Sequence, residues 1–144
     1  MTQPRYRAWH FAYPVLDVPE PDAGLHLSAQ GGLAMVEDHA SIRQAVLLLL
    51  STRPGERIMR PDYGCELYRL IFAPNDGTTA GLAIHYVRRA LERWEPRIDI
   101  LHIDANRNSA QAELLDVLLV YRVRATQVRE TLQFSLRLSG GGVV

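Results

Sequence analysis

The chain has 144 residues, is 47% hydrophobic and sets 16 basic against 16 acidic side chains. That length fits one compact domain around one core. Zero net charge excludes the basic excess with which general nucleic-acid binders engage phosphate. Every one of the 16 cations is arginine, whose planar fork suits carboxylates and protein interfaces, although genome base composition gives the same bias.

Cys65 stands alone, which excludes an internal disulfide and a cysteine-rich metal site and fits a reducing compartment. The opening MTQPRYRAWHFAYP lacks the apolar run of a secretory signal. The longest strongly apolar run, Ala45 to Leu50, falls far short of the roughly 20 residues of a membrane span. These features predict a protein made in the cytoplasm, with no membrane span.

Residues 1–37 are rich in turn formers, among them Pro14, Pro19, Pro21, Gly24, Gly31 and Gly32. Trp9, Phe11 and Tyr13 alternate as a half-buried extended segment would, and Gly24 to Ser28 reads as a second extended piece. The region is expected to be an irregular N-terminal extension with short strands.

A first helix is predicted from Asp38 or Ser41 to Ser51. Ser41 and Gln44 have capping-box spacing, and Asp38 is a competing N-cap. Ile42, Ala45, Val46, Leu49 and Leu50 form one stripe that Leu47 and Leu48 widen, as in a helix buried on most sides. Pro54-Gly55 ends it. In the connection to Asn75, Leu67, Leu70, Ile71 and Phe72 predict a short helical turn packed on the core. Asp76-Gly-Thr-Thr opens a second helix with Ala80, Ile84, Val87, Leu91 and Trp94 on its apolar side, and Pro96 stops it near Trp94.

Three strands follow: Ile98 to Ala105, Leu114 to Arg124 and Glu130 to Leu138. The second is apolar on both faces, which predicts a central strand covered on both sides. The third alternates Leu132, Phe134, Leu136 and Leu138 against Thr131, Gln133, Ser135 and Arg137. Ser139 to Val144 is expected to be a flexible tail. The predicted class is α+β, with two main helices packed on a small antiparallel C-terminal sheet, and 38–138 as the principal domain.

Signs of chemistry are few. His10, His26, His39, His85 and His102 share no metal-pairing interval, so no metal ligand or cofactor is assigned. Gly140-Gly141-Gly142 precedes no helix and cannot cradle phosphate. A glycosidase needs two carboxyls, one of them kept protonated. Glu56, Asp62, Glu66 and Glu95 are candidates, but arginines flank Glu56, Asp62 and Glu95, and a nearby guanidinium lowers a carboxyl pKa, the wrong direction for a general acid. No catalytic residue is assigned.

Two stretches concentrate charge. In Trp94-Glu95-Pro96-Arg97-Ile98, extended geometry projects Glu95 and Arg97 the same way across a stiff Pro96. Such a head serves either as an internal tie (Glu95 to Arg57 or Arg60, Arg97 to Asp62 or a carbonyl) or as a dock for another subunit. The other stretch, Thr52 to Cys65, crowds three arginines, two acids and two glycines into one loop.

Together these stretches resemble a known family. The first helix followed by Pro54-Gly55-Glu56-Arg57, Met59-Arg60-Pro61-Asp62-Tyr63-Gly64-Cys65 and Leu70-Ile71-Phe72 looks like the signature of the baseplate wedge family of contractile-tailed phages. Trp94 to Ile98 is similar to its glutamate–proline–arginine motif. The resemblance spans Asp38 to Val123 and extends to type VI secretion baseplates and extracellular injection particles. It implies a sheath initiator between wedge and first sheath ring, in six copies around the inner tube, with a fold similar to the sheath subunit's strand-exchanging domain. It further implies that Glu95, Pro96 and Arg97, with Arg57 and Arg60, bind wedge proteins. Sheath protein would then add a strand at Gln133, Phe134 and Ser135, or along Leu114 to Arg124, and the mature location would be a baseplate. The family has also carried a lysozyme label, so a cell-wall-degrading glycosidase is the alternative reading; a generic adaptor domain is the third.

Overall fold

A computed structural model of the chain describes residues 4–12, 24–140 and 142–143. They form two compact units that divide between Ala45 and Val46, inside one helix.

In the N-terminal unit, β1 (Arg7–Trp9) pairs antiparallel with β4 (Met35–Glu37), and β2 (Phe11–Ala12) pairs with β3 (Gly24–Leu25). Tyr13 lies outside the described residues. Helix α1 (Asp38–Ser51) follows β4 directly. The predicted capping roles are not what the side chains do. Asp38 takes a positive φ of 46°, and its carboxylate accepts the N–H groups of Arg5 and Tyr6 at 2.9 and 3.2 Å. Gln44 accepts the Phe11 N–H and donates to the Trp9 carbonyl, both at 2.7 Å. Backbone groups left over between two short strands need partners, and these side chains supply them instead of closing a capping box.

In the C-terminal unit, Val46, Leu47, Leu49 and Leu50 are buried, in keeping with the broad apolar stripe. The short helical turn forms as a 3-10 helix, Glu66–Leu70, that buries Leu67 and Leu70. Phe72 departs from expectation. It sits at φ +68° and is 80% exposed, because its N–H turns away to donate to the Leu138 carbonyl at 2.5 Å.

Helix α2 (Gly77–Trp94) starts at Asp76, whose carboxylate accepts the Thr79 N–H at 2.9 Å. That bond holds the Asp76 carboxyl below the ordinary carboxylate range. The buried stripe is Thr79, Ala83, Val87, Ala90 and Leu91, rotated from the predicted one; Ala80, Ile84 and Trp94 lie at its margin. The small residues Ala83 and Ala90 sit inside, and α2 packs chiefly on the first strand of the sheet.

That sheet has the order β5 (Ile98–Arg107), β6 (Leu114–Val123), β7 (Arg129–Arg137), β8 (Gly142–Val143), antiparallel throughout. Leu115, Val117, Leu119, Tyr121 and Val123 of β6 and Leu132, Phe134 and Leu136 of β7 are buried on one face. Each fully buried side chain of this kind contributes about 1.5–3 kcal/mol. The reverse face is only partly covered: Leu114 and Leu118 are half-buried, so β6 is central but not enclosed on both sides as predicted. Leu101 forms a bulge in β5, and the core-facing residues change from Ile98 and Ile100 to Ile103 and Ala105 across it. The tail predicted to be flexible contributes β8, paired with Leu136 and Arg137. Gly140, at φ +96°, provides the reversal that brings it back.

Candidate functional site

The strongest concentration of polar chemistry lies where α2 gives way to β5. Glu95 closes the helix, its N–H donating to the Leu91 carbonyl at 2.9 Å. Pro96 denies the next turn its donor, so the chain leaves extended and returns to the sheet, where the Arg97 carbonyl accepts the Arg124 N–H at 2.9 Å. Glu95 and Arg97 do project together, as expected from their spacing, but they bind each other. Arg97 Nε donates to Glu95 Oε1 at 2.5 Å and Nη2 to Oε2 at 2.7 Å. The acid's side chain is 5% exposed and the guanidinium's 29%.

This corrects the predicted internal ties. Glu95 does not reach for Arg57 or Arg60, and Asp62 is taken by Arg93 at 3.7 Å rather than by Arg97. The reason is geometric: a two-residue interval across proline already brings fork and carboxylate into register.

Arg57 joins the site through an aromatic. Its guanidinium lies 4.4 Å from the centre of the Tyr63 ring, and Tyr63 meets Trp94 edge-on at 5.4 Å. Burial pushes the Tyr63 phenol up; the Arg57 cation opposes that rise, Glu95 adds to it and Arg97 opposes it. Arg57, Tyr63, Glu95 and Arg97 therefore act on one another at the foot of the loop. Sequence reasoning missed Tyr63, although its place in the arginine-rich stretch and the Trp94 beside Glu95 were the available signals. Arg60 is exposed at the loop surface, its N–H donating to the Arg57 carbonyl at 3.2 Å.

Gly64 explains why this loop has one shape. At φ +137° its Cα approaches the Thr52 carbonyl so closely that a Cβ would stand 2.5 Å from that oxygen. The neighbouring Cys65 is buried; its N–H donates to the same carbonyl at 2.9 Å, and desolvation raises its thiol pKa to about 11. A thiol so raised is inert rather than nucleophilic.

The acids weighed for glycoside cleavage are engaged. Glu66 pairs with Arg69 at 3.1 Å and Arg89 at 3.6 Å, Asp62 with Arg93, and Glu95 with Arg97. A Glu56 oxygen accepts the Arg53 N–H at 3.0 Å.

The second predicted site, on β7, divides by parity. Leu138 N–H donates to the Glu113 carbonyl and Val123 N–H to the Val128 carbonyl, both at 2.9 Å. Even-numbered β7 residues therefore exchange bonds with β6, and Thr131, Gln133 and Ser135 turn their backbone groups outward. Phe134 is buried and faces inward, so of the three predicted edge residues it belongs to the core. Strand β6 is paired on both sides, which removes Leu114 to Arg124 from the candidate edges. Strand β8 covers only Leu136 and Arg137; among the described residues, no strand pairs with the outer side of 129–135.

Residues 36–128 match the protein family described as Baseplate wedge protein gp25. Baseplate wedge protein gp25 of Enterobacteria phage T4 is 33% identical over 64 residues, which span 44% of this chain and 48% of the T4 protein. Among solved structures, a Geobacter sulfurreducens protein provisionally labelled a tail lysozyme is 37% identical, with TM-score 0.67 over 76% of this chain and all of that one. A chain of the post-contraction pyocin R2 baseplate is 28% identical, with TM-score 0.55 over 69% of this chain and 98% of its own. A chain of the anti-feeding prophage baseplate shares the fold at 19% identity, with TM-score 0.64 over 94% and 87%.

Proposed function

We propose, since the chain belongs to the Baseplate wedge protein gp25 family, that it is a structural component of a contractile injection machine, joining the baseplate wedge to the first sheath ring. In this reading six copies surround the inner tube, the Glu95–Pro96–Arg97 junction with Arg57 and Arg60 meets wedge proteins, and the sheath adds a strand to β7. The mature site of the protein is then the baseplate of a phage tail or injection particle, reached after cytoplasmic synthesis.

One observation carries the sheath-initiating role: the outward backbone groups of Thr131, Gln133 and Ser135, along a stretch of β7 whose outer side no strand pairs with among the described residues. An unpaired edge is a template for strand addition. The opposite edge, β5, is interrupted by the Leu101 bulge, a device that discourages pairing. The pairing of Glu95 with Arg97 gives the junction one fixed conformation, which suits a rigid docking corner.

Gln133→Pro removes one outward donor and leaves Phe134 in the core. Baseplates carrying it are expected to form without sheath, as seen by particle imaging. Sheaths of ordinary length on the variant would defeat the strand-addition reading. None of the four carboxyls weighed for the glycosidase alternative is placed for general acid work, since each is held by a guanidinium or a backbone N–H. The protein is read as non-enzymatic, and cell-wall clearing abolished by Glu56→Gln or Glu95→Gln would reverse that reading.

A further inference from the structure

The loop between Pro54 and Tyr63 places two large apolar side chains in open solvent. Ile58 is 96% exposed and Met59 91%. Such residues ordinarily ride on mobile loops, yet this one is pinned along its length. Gly55 N–H donates to the Pro61 carbonyl at 2.6 Å, Glu56 N–H to Arg53 at 3.2 Å, and Tyr63 N–H to Arg60 at 3.1 Å. The Glu56 carboxylate returns to the Arg53 N–H, and Gly64 locks the base against Thr52. Fixed geometry removes the ordering cost that a flexible loop meets on binding.

The charges beside the tip do not cancel. The Glu56 carboxylate is turned back to the Arg53 backbone N–H, and Asp62 faces Arg93. Among the described residues, Arg57 and Arg60, which flank Ile58 and Met59, have no carboxylate within ion-pair distance, and Arg57 is steadied over Tyr63. The tip is thus an apolar pair between two cations.

We infer that Ile58–Met59 is a preorganised prong that enters an apolar pocket with a carboxylate-bearing rim on a neighbouring protein subunit of the baseplate. The carboxylates face Arg57 and Arg60, and the pocket removes both apolar side chains from water. Charge complementarity fixes the class of partner. Two side chains offer too little apolar area for stable insertion into a lipid surface, where binding scales with that area. The inference rests on the assembly reading for its neighbour and extends it to residues outside the Glu95–Arg97 junction.

Methionine oxidation tests it directly. Met59 in the free chain should convert to sulfoxide with dilute peroxide as fast as in a short peptide, and be slowed at least about tenfold within baseplates isolated from the native source. Ile58→Ser/Met59→Ser and Arg57→Glu/Arg60→Glu chains, checked by circular dichroism for an unchanged fold, should each enter baseplates at least about tenfold less well than wild type. Unprotected Met59 in baseplates that contain the chain would overturn the prong and leave the assembly reading standing. Undiminished incorporation of both variants would overturn it equally. Absence of the wild-type chain from baseplates would remove the assembly reading and the prong with it. Sedimentation of the free chain with phosphatidylglycerol vesicles, lost in the Ile58→Ser/Met59→Ser variant, would replace the protein pocket with a membrane surface.

Discussion

Arg97 reaches back two residues to hold both oxygens of Glu95, and the acid it holds is almost wholly buried. Removing the guanidinium leaves a carboxylate in a site that cannot solvate it. Arg97→Ala should therefore lose about 3–5 kcal/mol, more than its surface position suggests. Glu95→Gln/Arg97→Ala should recover part of that loss, because the stranded charge is gone. Urea unfolding of the three chains near neutral pH gives the comparison; equal losses in the single and double variants would show that a stranded Glu95 charge is not what destabilises Arg97→Ala. Imaging of Arg97→Ala particles tests docking only once this stability cost is known.

A second prediction separates two glycines of the same loop. Gly55 has φ +95° but open space around it, whereas at Gly64 a Cβ would strike backbone 2.5 Å away. Gly55→Ala should cost about 1–3 kcal/mol of backbone strain. Gly64→Ala adds a clash that only main-chain movement relieves, and should reduce urea stability well beyond that, or prevent folding. A Gly64→Ala chain as stable as Gly55→Ala would mean the loop has room to shift.

Local signals survive the passage from sequence to structure best. Asp76 caps its helix, Pro96 ends it after Trp94, and the alternation of Leu132, Phe134 and Leu136 sets the buried face of β7, because each depends on residues within one turn or one pleat. Where tertiary partners decide, the sequence is mute. Gln44 abandoned its capping box for strand backbone more than thirty positions away. Phe72 left the core because its N–H met Leu138, and the Leu101 bulge shifted the inward parity of β5 in a run with apolar residues on both parities. At the junction, the pair was legible as a pair, but the partner of each charge was not. Tyr63 mattered only once α2 brought Trp94 beside it.

Cys65 provides a probe of the same region. Its thiol is buried and its pKa raised to about 11 from an ordinary 9.0. Ellman's reagent at about pH 8 should find no reactive thiol in the native chain and one per chain in denaturant. A raised folded pKa stabilises the fold fully below the ordinary value. That contribution is lost as pH rises from 9.0 through about 11. Cys65→Ala should lose the alkaline decline attributable to this group, and rapid labelling of the native chain at pH 8 would contradict the burial.

Asp99 gives the acid limb. It pairs across the sheet with Arg122 of β6, which donates to it at 3.1 Å, and Arg124 donates to its other oxygen at 2.6 Å. These bonds hold its carboxyl below the ordinary aspartate value. Because the folded pKa is the lower one, the stabilisation is complete above about 3.9 and disappears as pH falls through the depressed native value. Asp76, lowered by its helix cap, behaves in the same way. Asp99→Asn should therefore be less stable than wild type near neutral pH, and the two should converge as pH falls through the depressed native value of Asp99, below which both side chains are neutral. Asp76 retains its own share of the acid response in that variant, so the slope should flatten without vanishing. Urea midpoints measured across this range decide the matter: parallel curves for the two proteins would mean that the Arg122 and Arg124 bonds favour neither protonation state of Asp99.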